Sequence, residues 1–185
     1  GPILYPSPLK KAKRARHTAR NCFFMTNFDI HIDQSTSMEQ TMYHMLMRLP
    51  LFQGMNREDL FCVLEQTTFH FHRFEEGKII YHQGEPCSEL TFLMNGTLVA
   101  DTQATYANLS FTERISAYMP IEPQSLFGRR PNYKSNYIAQ SEVSLLSISK
   151  QEVYHLFETY EIFRINLLNM LCSKVVLVEL IRYKP

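Results

Sequence analysis

Three cations crowd the stretch SLFGRRPNYKSN, Ser125 to Asn136, where Arg129, Arg130 and Lys134 follow a Phe127-Gly128 turn. Cations beyond a tight turn suit anion chemistry, because guanidinium groups and exposed backbone N–H groups both donate to phosphate or carboxylate oxygens. A ligand site drawn on this loop takes in Phe127, Gly128, Arg129, Arg130, Lys134, Ser135 and Asn136. The bland alternative is a solvated basic loop between two strands. A second pair is His70 and His72, which alternate along a strand, point to one face, and could share a metal or offer a haem ligand. No carboxylate or cysteine stands beside them at ligand spacing, which favours ordinary strand histidines, so no metal site is expected. Cys22, Cys62, Cys87 and Cys172 are far apart and contain no Cys-x-x-Cys pair. They read as reduced intracellular thiols in a cytoplasmic protein, and they argue against an iron–sulfur cluster. The chain has no Gly-x-Ser-x-Gly, His-Glu-x-x-His or Gly-Lys-Ser/Thr phosphate loop, so an enzyme is not expected.

The elements that must position these residues can be read from period and punctuation. TSMEQTMYHMLMRL opens with a Thr36 to Glu39 capping box, and Met38, Met42, Met45, Leu46 and Leu49 then share a helical face until Pro50. A second short helix follows in NREDLFCVLEQ, with Asn56 as cap and Asp59 in the first turn. After Gln66 the period becomes alternating, with breaks at Gly77, Gly84 and Asn95-Gly96, the last a strong hairpin signal. Further strands are expected at Asn136 to Ala139 and Val143 to Ile148. About eight short antiparallel strands imply a rolled sandwich or barrel. Ser149 and Glu152 form another capping box, with Val153, Leu156 and Phe157 turned inward. The closing helix, Ile165 to Ile181, is apolar over more than one face, a surplus that calls for a partner such as the same helix of a second copy.

The 185 residues, 45% of them apolar, suffice for one core with an appendage. Six of the nineteen Lys and Arg residues fall in PLKKAKRARHTAR, leaving thirteen cations against eighteen acids, so the body is acidic and a poor nucleic-acid binder. A start at Gly-Pro resembles the remnant of a tag-cleaving protease, so residues 1–24 read as a solvated basic tail, part of it not native, and Met25 as the natural start. No uncharged apolar run of about 18 residues exists, and no membrane partner is expected.

This layout resembles the cyclic-nucleotide-binding domain of the Crp/Fnr superfamily of bacterial transcription regulators. The resemblance is carried by LPLFQGMNREDL, FEEGKIIYHQGEPCSELTFLMNGTLV, SLFG and AQSEVSLLSIS, and by the spacing of Gly77, Gly84, Gly96 and Gly128, and it covers roughly Leu49 to Phe157. It implies a mainly β fold with flanking helices: a double-stranded β-helix, or jelly roll, over residues 25–158, and a long dimerisation helix over 159–185. In that family the loop after Phe-Gly starts a short helix whose amides hold the cyclic phosphate, a Glu after the Gly binds the ribose hydroxyl, and a later Arg pairs with the phosphate. Here Arg129 stands where the Glu belongs, and the Arg position falls near Tyr133, with Lys134 beside it. An Arg cannot accept the ribose hydrogen bond and a Tyr carries no charge for the phosphate, so a cyclic nucleotide is not the expected effector. The resemblance thus implies a sensor for an unidentified small molecule, paired into a homodimer through Leu168, Leu171, Cys172, Val175 and Val178. DNA would be read by a helix-turn-helix domain beyond Pro185. A ligand-free roll serving as a protein-interaction or structural dimer module is the alternative, and a haem or metal sensor the third.

Overall fold

The computed structural model describes residues 35–104 and 109–182, with side chains over 40–103 and 110–173. The basic tail, Met25 and the side chains of the Thr36 to Glu39 capping box lie outside the described residues. Helix α1 (Ser35–Arg48) turns Leu46 inward, and Leu49 is buried just beyond its end, before a 3-10 turn at Pro50–Phe52. Helix α2 (Arg57–Gln66) starts where its cap is read, the Asn56 side chain accepting from the Asp59 amide at 2.7 Å.

Eight strands follow: β1 (His70–Phe74), β2 (Ile79–Tyr81), β3 (Glu89–Asn95), β4 (Leu98–Ala104), β5 (Leu109–Ile115), β6 (Pro120–Ile121), β7 (Asn136–Ala139) and β8 (Val143–Ser149). They make two four-stranded antiparallel sheets in the orders β1-β8-β3-β6 and β2-β7-β4-β5. Successive strands mostly alternate between the sheets, and this alternation is what rolls them around one interior. Asn95-Gly96 is therefore not the hairpin turn its composition suggests. β3 pairs with β8 and β6, β4 pairs with β5 and β7, and the chain at Gly96 crosses from one sheet to the other. The hairpin is β4–β5, paired from Leu98↔Ile115 to Ala104↔Leu109.

The β3–β8 register explains why these strands are buried on both faces instead of alternating. Leu90↔Ile148 and Phe92↔Leu146 occupy one face, Thr91↔Ser147 and Leu93↔Leu145 the other, and all eight side chains are buried. The Tyr81 and Thr91 hydroxyls, 2.8 Å apart, join the second face to the opposite sheet, and α3 (Lys150–Thr159) packs on β3 and β8. Ser149 caps α3 by accepting from the Glu152 amide at 3.2 Å, and Val153 and Leu156 are buried beneath it.

Helix α4 (Glu161–Arg182) packs on α3, on the Pro50–Phe52 turn at the start of the fold and on the Pro123–Ser125 turn. Phe163 is fully buried with its ring 5.4 Å from that of Phe52, and Asn166 Nδ2 donates to the carbonyls of Leu51 (3.0 Å) and Gln53 (2.8 Å). Of the residues expected to pair two copies, Leu168 is 46% exposed, Cys172 is exposed, and Leu171 is partly buried against the core. The side chains of Val175 and Val178 lie outside the described residues.

Candidate functional site

The short helix implied after Phe127-Gly128 is not there. One turn of 3-10 helix, Pro123–Ser125, comes before the Phe-Gly pair, and residues 126–130 are bends. The reason lies in Pro131, which has no N–H to give and disfavours helical geometry at Arg130. Residues 131–133 instead run antiparallel beside the turn between β2 and β3. The Cys87 amide donates to the Pro131 carbonyl (2.7 Å), the Tyr133 amide to that of Glu85 (2.9 Å), and the Gly84 amide to that of Tyr133 (2.8 Å). Asn132 Nδ2 adds a bond to the Gly84 carbonyl at 2.7 Å. Amides spent on this pairing are not available to cradle a phosphate.

The residues expected to hold a ligand are drawn in different directions. Phe127 leans on α3, with Lys150 Nζ 5.2 Å from its ring centre and the Tyr154 ring at 6.0 Å. Gly128 takes a positive φ of 107°, and Arg129 and Arg130 are exposed. The exposed Lys134 side chain donates to the Arg130 carbonyl at 3.4 Å. Ser135 is buried and shares a hydrogen bond with the Thr102 hydroxyl, and the Asn136 side chain accepts from the Gln83 amide at 2.9 Å.

The polar centre of the roll lies one step further in and was not foreseen from the sequence. Glu122 is 7% exposed and adopts the left-handed region, φ 44° and ψ 54°, which a non-glycine residue takes only when its surroundings hold it there. Its carboxylate accepts from the Ser125 hydroxyl, from the Lys134 amide at 2.6 Å and from the Tyr137 hydroxyl at 2.7 Å. Beside it, Tyr133, near the expected arginine position, is buried and stacks on Tyr81, ring centres 4.2 Å apart. Tyr137 meets Tyr133 edge-on at 6.0 Å. A cavity of about 220 Å³ opens alongside, lined among others by Glu113, Arg114, Met119, Glu122, Gln124 and Tyr137. That is below the roughly 300–1,000 Å³ usual for small-molecule sites. Concavities of about 400 and 500 Å³ lie on the helices instead, against Ile162 and against Tyr154.

Burial pushes the Tyr137 phenol up, and its hydrogen bond to the Glu122 carboxylate adds to the shift. Burial does the same for Tyr133, helped by the nearby Tyr81 hydroxyl, and for Tyr81 and Cys87. Each of these phenols keeps its proton more firmly folded than unfolded. The stability they contribute is therefore fully present below the ordinary tyrosine value of about 10 and is lost as pH rises above it. Tyrosinate absorbance at about pH 11 should fall short of that of the urea-unfolded chain, chiefly through Tyr133 and Tyr137. Equal absorbance in the two states would show that the cluster is open to solvent.

His70 and His72 are exposed on β1, the edge strand of its sheet, opposite Ser147 and Leu145. Among the described residues, no group of three or more His, Cys, Asp or Glu is placed to hold a metal ion, and no helix is long and apolar enough to cross a membrane.

Two rolled four-stranded sheets, a Phe-Gly loop beside the interior and a terminal helix meet one known pattern, the family described as cyclic nucleotide-binding domain, over residues 71–160. The matched stretch is a little under half of the chain. Solved structures carry the likeness further. The sensor domain of the transcriptional regulator DNR from Pseudomonas aeruginosa aligns over 75% of this chain and 91% of its own, with 16% identity and a TM-score of 0.63. The catabolite activator protein of Thermus thermophilus aligns over 71% of this chain and 60% of its own, with 19% identity and a TM-score of 0.62. The regulatory domain of Toxoplasma gondii PKA, solved with cAMP, aligns over 75% of this chain and 51% of its own, with 16% identity and a TM-score of 0.62. At these identities the shared property is the cyclic nucleotide-binding fold. No curated protein sequence matches the chain.

Proposed function

We propose that this chain is the effector-sensing and dimerisation part of a Crp/Fnr-like bacterial transcription regulator, non-enzymatic and cytoplasmic, whose effector is not a cyclic nucleotide. The observation that carries the reading is the state of the phosphate loop. No helix N-terminus follows Gly128, Arg129 replaces the ribose-binding carboxylate and is exposed, and Tyr133 at the arginine position is stacked inside the roll. Hydrogen bonds to charged groups contribute about 1.5–3 kcal/mol each, so losing two should weaken cyclic-nucleotide binding by several kcal/mol. Calorimetry with cAMP and cGMP should accordingly give dissociation constants no tighter than about 1 mM, near −4 kcal/mol. Low-micromolar binding of either nucleotide would overturn this reading of the loop.

Dimerisation through α4 is the second half of the proposal. Ile165 and Leu168 leave 43% and 46% of their surface exposed on a helix that is already anchored by Phe163 and Asn166. Light scattering should report about twice the 21.8 kDa chain mass, and Leu168→Asp, which sets a charge in the seam, should shift the sample toward monomer. In this reading DNA is contacted only through a separate helix-turn-helix domain. The filled interior of the roll also favours a second reading, a ligand-free roll acting as a protein-interaction or structural dimer. Dimerisation with no effector response would point to it.

A further inference from the structure

We infer that Glu122 is a tethered ligand: its carboxylate occupies the anion site of the roll and is the residue that excludes phosphate from the pocket. This rests on the reading above that the loop is a departed cyclic-nucleotide site. Three donors converge on the side chain from separate parts of the chain: the Ser125 hydroxyl in the 3-10 turn, the Lys134 amide beside the family's arginine position, and the Tyr137 hydroxyl on β7. Both carboxylate oxygens are engaged, Oε1 by Ser125 and Lys134 and Oε2 by Tyr137. A backbone amide and two hydroxyls around a buried oxyanion form the donor set of an anion site, and here the anion arrives from the protein itself. The left-handed backbone at Glu122, between Ile121 in β6 and Pro123 in the 3-10 turn, fits a residue held by its side chain. An incoming phosphate would find the donors taken and a carboxylate in its way, whatever residues stand at positions 129 and 133. The pocket is closed to anions by occupation as well as by the loss of the recognition side chains.

Removing the tether should turn the site into a receptor for small carboxylates. Glu122→Ala is expected to melt below the wild type and to be stabilised by acetate or formate, relative to chloride at matched ionic strength, by roughly 2 °C or more, rising with the logarithm of anion concentration. The wild type should show no such difference. A folded Glu122→Ala protein that responds to acetate and chloride alike would overturn the inference. If that variant does not fold, Glu122→Gln supplies the second test, because an amide is a weaker acceptor than a carboxylate. Hydrogen exchange at the Lys134 amide should then be faster than in the wild type by about ten-fold or more, and an unchanged rate would overturn the inference. Tight cAMP binding by the wild type would instead remove the functional reading above, so the two failures are separable.

Discussion

Gly96→Ala should lower folding stability by about 2–5 kcal/mol, combining a left-handed backbone penalty of about 1–2 kcal/mol with an overpacking penalty of about 1–3 kcal/mol. Gly96 has φ 87°, and a Cβ there would run into the Glu142 carbonyl oxygen and lie 2.8 Å from Val143 Cγ1. Two sheet crossings pack back to back at this point, β3 to β4 at Gly96 and β7 to β8 at Ser141 and Glu142. They are joined by the Thr97 amide donating to the Ser141 hydroxyl (3.1 Å) and the Gln140 amide donating to the Thr97 carbonyl (2.9 Å). A backbone carbonyl on one crossing cannot move aside without disturbing the other. Gly77 and Gly84 provide the comparison, since they also have positive φ, 82° and 87°, but nothing lies within 4 Å of an added Cβ. Alanine at either should cost only the backbone part, about 1–2 kcal/mol. Urea unfolding of the three variants measures the difference directly, and a Gly96→Ala midpoint no lower than that of Gly77→Ala would disprove the close packing of the crossings.

Phe163→Ala should cost about 3–5 kcal/mol, the range for removing a fully buried aromatic side chain. Its ring fills the space against Phe52 in the Pro50–Phe52 turn, and three residues later Asn166 bonds the carbonyls on either side of Phe52. This is the fastening between α4 and the start of the fold. The loss should accordingly appear first in α4, whose amides should exchange faster than those of β3 and β8 under native conditions. Met47→Ala, at a side chain 50% exposed on α1, should stay within about 0.5 kcal/mol of the wild type. Equal costs for the two substitutions would mean that Phe163 does not anchor the helix.

Elements set by neighbouring residues are legible in the chain itself. Asn56 and Ser149 cap their helices because a side-chain oxygen and an amide three residues on need nothing further to meet. The alternation after Gln66 and its glycine breaks yield eight strands for the same reason. The residue types that the proposal rests on, Arg129 after the Phe-Gly pair and Tyr133 near the expected arginine position, are likewise visible in the chain. Strand pairing is different. Asn95-Gly96 has hairpin composition, yet β4 takes β7 as one partner with Leu98 opposite Ala139, because burial of whole sheet faces outweighs the preference of a two-residue turn. Pro131 is a visible warning against a helix after Gly128, but its pairing with the Gly84 to Cys87 turn requires the roll to bring those segments together.

Glu122 marks the boundary most clearly. Chemically it is one carboxylate among eighteen acidic side chains, and nothing in its neighbourhood sets it apart. Its donors come from three, twelve and fifteen residues away, and its left-handed backbone lies at a junction between two elements. The sequence by itself determined the strands and the caps, because each depends on residue type within a few positions. Only the tertiary structure decided which sheet each strand joins and which carboxylate sits among the buried donors. Those outcomes depend on closing long loops around a common interior, and their free energy appears only once the whole roll is packed.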